Sequence, residues 1–164
     1  MIINCVDEQE RLNESVFTKI NEAASEVFRQ EFTLPTEEEE RLEVSLTITD
    51  GETIRSINSD FRGIDRVTDV LSFPQYESPE DVEADLEMLD EEISIPLGDV
   101  VICYERACEQ AQEYGNTEAR EITYLFVHSM MHLLGYDHME EDEKKVMRAH
   151  EESVMAAIDL RRDE

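Results

Sequence analysis

Cations are scarce in this chain. Fourteen lysines and arginines face 42 aspartates and glutamates over 164 residues, a formal net charge of −28. Such a surface favours solubility and disfavours non-specific attachment to nucleic acid or to anionic membranes, while still allowing a locally basic cleft. Long apolar runs are also missing. No window approaches a transmembrane span, and the opening MIINCVDEQE has neither the basic flank nor the apolar stretch of a signal peptide. There are three cysteines, Cys5, Cys103 and Cys108, odd in number and without a C-x-x-C pair. They read as free thiols in a reducing cytosol rather than as a disulfide framework. The expected location is therefore cytoplasmic. Internal repeats and long linkers are absent, so residues 1–164 are expected to form one domain, and 40% hydrophobic residues suffice for a single core.

The apolar residues that are present fall into clear periods. Residues 2–6 read as a first strand. From Glu10, Leu12, Val16, Phe17, Ile20, Ala23, Ala24, Val27 and Phe28 recur at helical spacing to about residue 30. RLEVSLTITD alternates Leu42, Val44, Leu46 and Ile48 with polar residues, the pattern of a strand with one buried face. Asp50-Gly51 leads into a short helix carrying Ile54, Ile57 and Phe61. TDVLSF and GDVVICY are two further strands, the second β-branched enough for a sheet interior. Between them lies ESPEDVEADLEMLDEEIS, with nine acidic residues and no basic one. Val82, Leu86, Leu89 and Ile93 suggest an acidic amphipathic helix capped by Ser78, although the composition equally suits a disordered segment. Helices are expected from Glu105 to Tyr114, from a Thr117 cap to Leu134, and from about Glu140 to Leu160. Strands mixed with about five helices indicate a compact α/β (α+β) domain on a small sheet.

Histidine is rare, yet three of the four lie within FVHSMMHLLGYDH, at positions 128, 132 and 138. On a helix, residues i and i+4 share a face, so His128 and His132 present two imidazoles side by side. Gly135 can end that helix in a left-handed turn and return His138 to the same point. Three neutral imidazoles suit zinc and leave one coordination position open, as a catalytic metal requires. One zinc ion per chain, held by His128, His132 and His138, is the expected cofactor. His150 reads as an ordinary packed or surface histidine.

The spacing matches the long zinc-protease pattern, H-E-x-x-H-x-x-G-x-x-H, except that Ser129 replaces the glutamate that serves there as general base. Serine cannot take that role at neutral pH. Peptide hydrolysis suffers most from the loss, because its amine leaving group needs a proton. Phosphodiester cleavage needs charge neutralisation around phosphoryl oxygens instead, typically from a metal and an arginine. Residues 51–76 carry three arginines against four acidic residues, a net of −1 in a chain of −28. Arg55, Arg62 and Arg66 thus form either a local positive patch or ion pairs with Asp60, Asp65 and Asp69; composition leaves both open.

HSMMHLLGYDH resembles the H-G-x-x-H-L-x-G-Y-D-H motif of the YbeY family of bacterial endoribonucleases. INSDFRGIDRVTDVLSFP and PLGDVVIC resemble that family's arginine-bearing block and its L-G-D-I-x-I strand, in the same order. The resemblance spans roughly residues 50 to 138. It implies a zinc held by His128, His132 and His138, and a functional Arg62 in a cleft above a mixed four-stranded sheet. It also implies a zinc-dependent, single-strand-specific endoribonuclease that matures rRNA, chiefly the small-subunit 3′ end, and takes part in ribosome quality control. The expected partners are an rRNA precursor and the ribosome or its proteins, with neither DNA nor membrane. Ser129 departs from the family's usual glycine and is expected to place a hydroxyl near the metal. The net charge of −28 sits awkwardly with an RNA substrate. Two alternatives remain: a zinc hydrolase of another substrate such as peptide, and a non-catalytic ribosome-assembly factor with a structural metal.

Overall fold

Alternation along the strands determines how this molecule is layered. The computed structural model describes residues 1–160. Leu42, Val44, Leu46 and Ile48 of strand β2 (Leu42–Thr49) are all buried in the main core. Strand β4 (Ile95–Cys103) is buried on both faces: Val100 and Ile102 join the main core, while Val101 and Cys103 join a smaller cluster with Ile54 and Leu71. A continuous apolar run is what a strand covered on both sides requires. Strand β1 (Ile2–Val6) pairs parallel with β2, β2 pairs parallel with β4, and strand β3 (Val70–Pro74) closes the sheet antiparallel to β4. The order is β1-β2-β4-β3, a mixed four-stranded sheet.

Helix α1 (Glu14–Glu31) crosses between the parallel strands β1 and β2. It starts later than Glu10 because the Asp7 carboxylate accepts from the backbone N–H groups of Arg11 and Leu12, and Asn13 then caps Val16. A 3₁₀ turn (Thr36–Arg41) holds the acidic connection. Helix α2 (Gly51–Arg62), capped by Asp50, covers the second face of β4 through Ile54. Phe61, placed by spacing on the apolar stripe, is instead 73% exposed; it meets Phe73 edge-on, with centroids 5.5 Å apart.

Helix α3 (Pro79–Met88) decides the acidic segment in favour of a helix. Ser78 caps Asp81, and burial of Val82 and Leu86 outweighs the charge; Leu89 and Ile93 lie beyond the helix and are exposed. Helix α4 (Tyr104–Tyr114) ends at Gly115, helix α5 (Glu118–Leu133) follows, and helix α6 (Glu141–Ala157) comes last. Among the described residues this makes six α-helices, the acidic α3 included. Helix α5 packs against α1, α4, α6 and the sheet, so most of its residues are buried, Arg120, Glu121, Thr123 and Ser129 among them. Its C-terminal end comes down on Gly98 of β4, where φ is +147° and a β-carbon would strike the Phe73 carbonyl and the Leu133 side chain. The small residue lets the last turn of α5 sit close above β3 and β4.

No helix among the described residues is long and apolar enough to cross a membrane.

Candidate metal centre

Thr117 opens α5 by accepting from the Arg120 N–H, and the helix then fixes the first two histidines one turn apart. The rings of His128 and His132 lie 4.8 Å apart between centroids, nearly perpendicular. Beyond α5, Gly135 takes φ +95°, and a β-carbon there would collide with the Glu77 carbonyl oxygen. That turn brings His138 back, with ring centroids 5.5 Å from His128 and 4.8 Å from His132. One ligand atom from each of the three residues lies within 4.8 Å of the others. The structure thus brings together His128, His132 and His138, and the group could hold a metal ion. Among the described residues no fourth His, Cys, Asp or Glu joins it.

The far nitrogens of the helical pair are already engaged. His128 Nδ1 lies 2.5 Å from Glu151 Oε2, and His132 Nδ1 lies 2.9 Å from the Tyr136 carbonyl oxygen. Both partners accept, so each Nδ1 carries the proton and each Nε2 keeps its lone pair free for a metal. Burial holds His132 below the ordinary imidazole pKa, helped by the neighbouring His128 and His138. It is therefore kept neutral, the form that ligates. Three imidazoles with two preset tautomers and an open position fit a zinc-type ion by donor chemistry.

Outer contacts brace these rings. Glu151 is buried, and its other oxygen accepts from the Tyr124 hydroxyl at 2.9 Å. Burial, reinforced by the Glu151 charge, raises the Tyr124 pKa and keeps that hydroxyl a donor. Tyr136 donates to Glu31 Oε2 at 2.8 Å, and His150 Nδ1 meets Glu31 Oε1 at 2.5 Å. The loop bearing His138 is thereby tied to α1 and α6, and His150 stands outside the triad as a packing partner.

Ser129 follows His128 on α5, and its hydroxyl is engaged with the sheet. Its side chain is fully buried, and its hydroxyl lies 2.5 Å from that of Ser72 on β3. That contact makes the Ser129 hydroxyl a tether between α5 and β3, whose Ser72 also lines the cleft of the three histidines.

Arg62, the last residue of α2, lines the same cleft of about 870 Å³ as the three histidines, together with Phe61, Asp69 and Ser72. The two readings of the arginine-bearing segment divide residue by residue. Arg55 pairs with Asp65 at 2.7 Å, whereas Arg62 and Arg66 have no ion pair among the described residues.

Sequence reading missed Glu151 and Tyr136 as supports. Glu151 left a signal: it is an acid on the stripe Met147, Val154, Met155, the buried face of α6. Tyr136 left little, since its backbone oxygen does half of its work.

A family model described as Endoribonuclease YbeY matches residues 3–159. The chain is 51% identical over 129 residues to an Endoribonuclease YbeY of Caldanaerobacter subterraneus, covering 77% of this chain and 82% of the relative. It is 41% identical over 160 residues to that of Clostridium perfringens, covering 93% and 92%. A solution structure from Thermotoga maritima shares the fold, with a TM-score of 0.56 at 23% identity over 95% of this chain and 91% of the other.

Proposed function

This chain belongs to the endoribonuclease YbeY family, and on that premise we propose that it is a zinc-dependent endoribonuclease of single-stranded RNA. The single observation that carries this reading is the meeting, in one cleft, of three open-sided histidines with an Arg62 that has no ion pair among the described residues. His128, His132 and His138 would hold the zinc. When bound, zinc supplies Lewis-acid activation of water and of a phosphoryl oxygen near neutral pH. Glu151 and the Tyr136 carbonyl hold the His128 and His132 rings in the ligating tautomer. Arg62 neutralises the non-bridging oxygens of the scissile phosphate, a charge-assisted contact that strengthens as charge builds in the transition state. Exposed Phe61 offers a ring face to an unpaired base, which favours single strands over a stacked duplex.

The proposed substrate is an rRNA precursor, chiefly at the small-subunit 3′ end, with a part in ribosome quality control. Ribosome-bound protein partners and a cytoplasmic site of action complete the reading, with residues 1–164 acting as one domain. Against peptide hydrolysis stands Ser129: it has no basic group, and its hydroxyl is spent on Ser72. A purely structural metal in an assembly factor would call for a fourth side-chain ligand.

The test is to incubate the zinc-loaded protein with an rRNA 3′-end precursor and, separately, with an unfolded polypeptide. Cleavage of the RNA alone is expected. Cleavage of the polypeptide alone would replace this reading with the protease one, and cleavage of neither would favour the assembly factor.

A further inference from the structure

The cleft continues past the histidines. His128 and His138 also form a wall of a second, open hollow of about 330 Å³, lying between α5 and α6 and bordered by Lys144, Lys145, Arg148 and Glu141. Arg62 is not part of it, and His128 and His138 are the residues shared by the two cavities.

The charge here runs against the rest of the molecule. Among the described lysines and arginines, eight form ion pairs with carboxylates, as this acidic a chain would lead one to expect. Four do not: Arg62, Arg66, Lys145 and Arg148. Three of those four line the two cavities that meet at the histidines. The two carboxylates bordering the second hollow are both engaged. Glu151 is bonded to His128 and Tyr124, and Glu141 lies 4.0 Å from Lys144. Lys145 and Arg148 sit one turn of α6 apart, at i and i+3, and so present their heads to the same side.

We propose that this α5–α6 hollow is a second phosphate subsite, in which Lys145 and Arg148 hold the phosphodiester next to the scissile one in a bound RNA strand. The proposal rests on the ribonuclease reading and deepens it. A strand crossing the histidines then meets cations on both sides, Arg62 at the cut and Lys145 with Arg148 beyond it. The net charge of −28 is thereby reconciled with an RNA substrate, because attraction is confined to a narrow track and the remaining surface repels non-specific RNA. The subsite acts in binding and alignment; it touches no reacting atom.

The test uses the full, zinc-loaded chain and its Lys145→Gln/Arg148→Gln variant. Both side chains are exposed and have no ion pair among the described residues, so zinc content and melting temperature should match wild type. Cleavage of a single-stranded oligoribonucleotide is measured as kcat/KM over a range of sodium chloride concentrations. Each neutralised single-strand phosphate contributes about −0.7 to the log–log salt slope, so loss of this one phosphate site should make the variant's slope shallower by about 0.7. The loss should appear in KM, with kcat retained. A neutral methylphosphonate placed next to the cut, on the side served by the hollow, should weaken wild type and leave the variant unchanged. A variant with wild-type slope and kcat/KM would overturn the subsite while the ribonuclease reading stood. Failure of the wild-type protein to cleave RNA at all would overturn both. A variant whose added loss at the methylphosphonate equals that of wild type would likewise place the second phosphate elsewhere.

Discussion

Glu151 reaches from α6 to within 2.5 Å of His128 Nδ1, so a buried carboxylate on the last helix orients a candidate ligand on the central one. A buried acid is costly unless its oxygens are satisfied, and here one is taken by His128 and the other by Tyr124. The pair therefore belongs to the site as much as to the core. Glu151→Gln keeps the shape and removes the charge that makes the imidazole a better donor. Zinc affinity should fall about 10–100-fold, measured by competition with a chelator. Unchanged affinity would reduce the contact to packing.

Stability should follow His132. Burial depresses its folded pKa below the ordinary value, so the fold favours the neutral ring. Its contribution is fully present above the unfolded pKa of about 6.5 and is lost as pH falls below that toward the folded value. Metal-free protein should therefore melt lower near pH 5 than near pH 7, and zinc occupancy under chelator competition should drop over the same range. The His132→Ala protein should show a flatter melting profile there. An equally steep profile in that variant would assign the effect to other groups.

Ser129→Ala removes the hydroxyl bonded to Ser72 and leaves Ser72 to find another partner. The expected cost is about 1 kcal/mol in denaturant unfolding, with zinc content unchanged. Loss of zinc would mean that Ser129 acts on the metal after all.

Gly135→Ala should do more damage. Its φ of +95° is strained for any side chain, and the new methyl would meet the Glu77 carbonyl. About 1–3 kcal/mol of strain is expected, relieved by displacing the loop that carries His138. Zinc affinity and melting temperature should both fall. A variant with normal zinc binding would show that the tight turn is not what returns His138.

Much of this was legible from periodicity. The alternation in β2, the helical stripe of α1 and the i, i+4 histidines each depend on local geometry, which one segment encodes by itself. Three features were not. Phe61 shares a stripe with Ile54 and Ile57, yet is exposed, because spacing says which residues share a face and not how far the covering element extends. Glu151 lies 23 residues from His128, and its role appears only when α6 packs on α5. The pairing of Arg55 with Asp65, and the absence of an ion pair at Arg62 among the described residues, were equally beyond composition, since three arginines and four acids admit many pairings. The acidic segment became a helix because two buried apolar residues and a serine cap outweighed its charge.

The central claim is that the three histidines and Arg62 form one phosphodiester-cleaving site, and Arg62→Glu tests it most directly. Arg62 is exposed at the end of α2 and has no ion pair among the described residues, so the substitution should spare fold and zinc. Removing one electrostatic donor of this kind costs about 10²–10³ in rate, and reversing its charge beside a phosphate should cost more. The measurement is cleavage of an rRNA 3′-end precursor by wild type and Arg62→Glu, with zinc content and melting temperature determined on the same samples. The account predicts normal zinc, normal melting and abolished cleavage; normal zinc and melting with wild-type cleavage would contradict it.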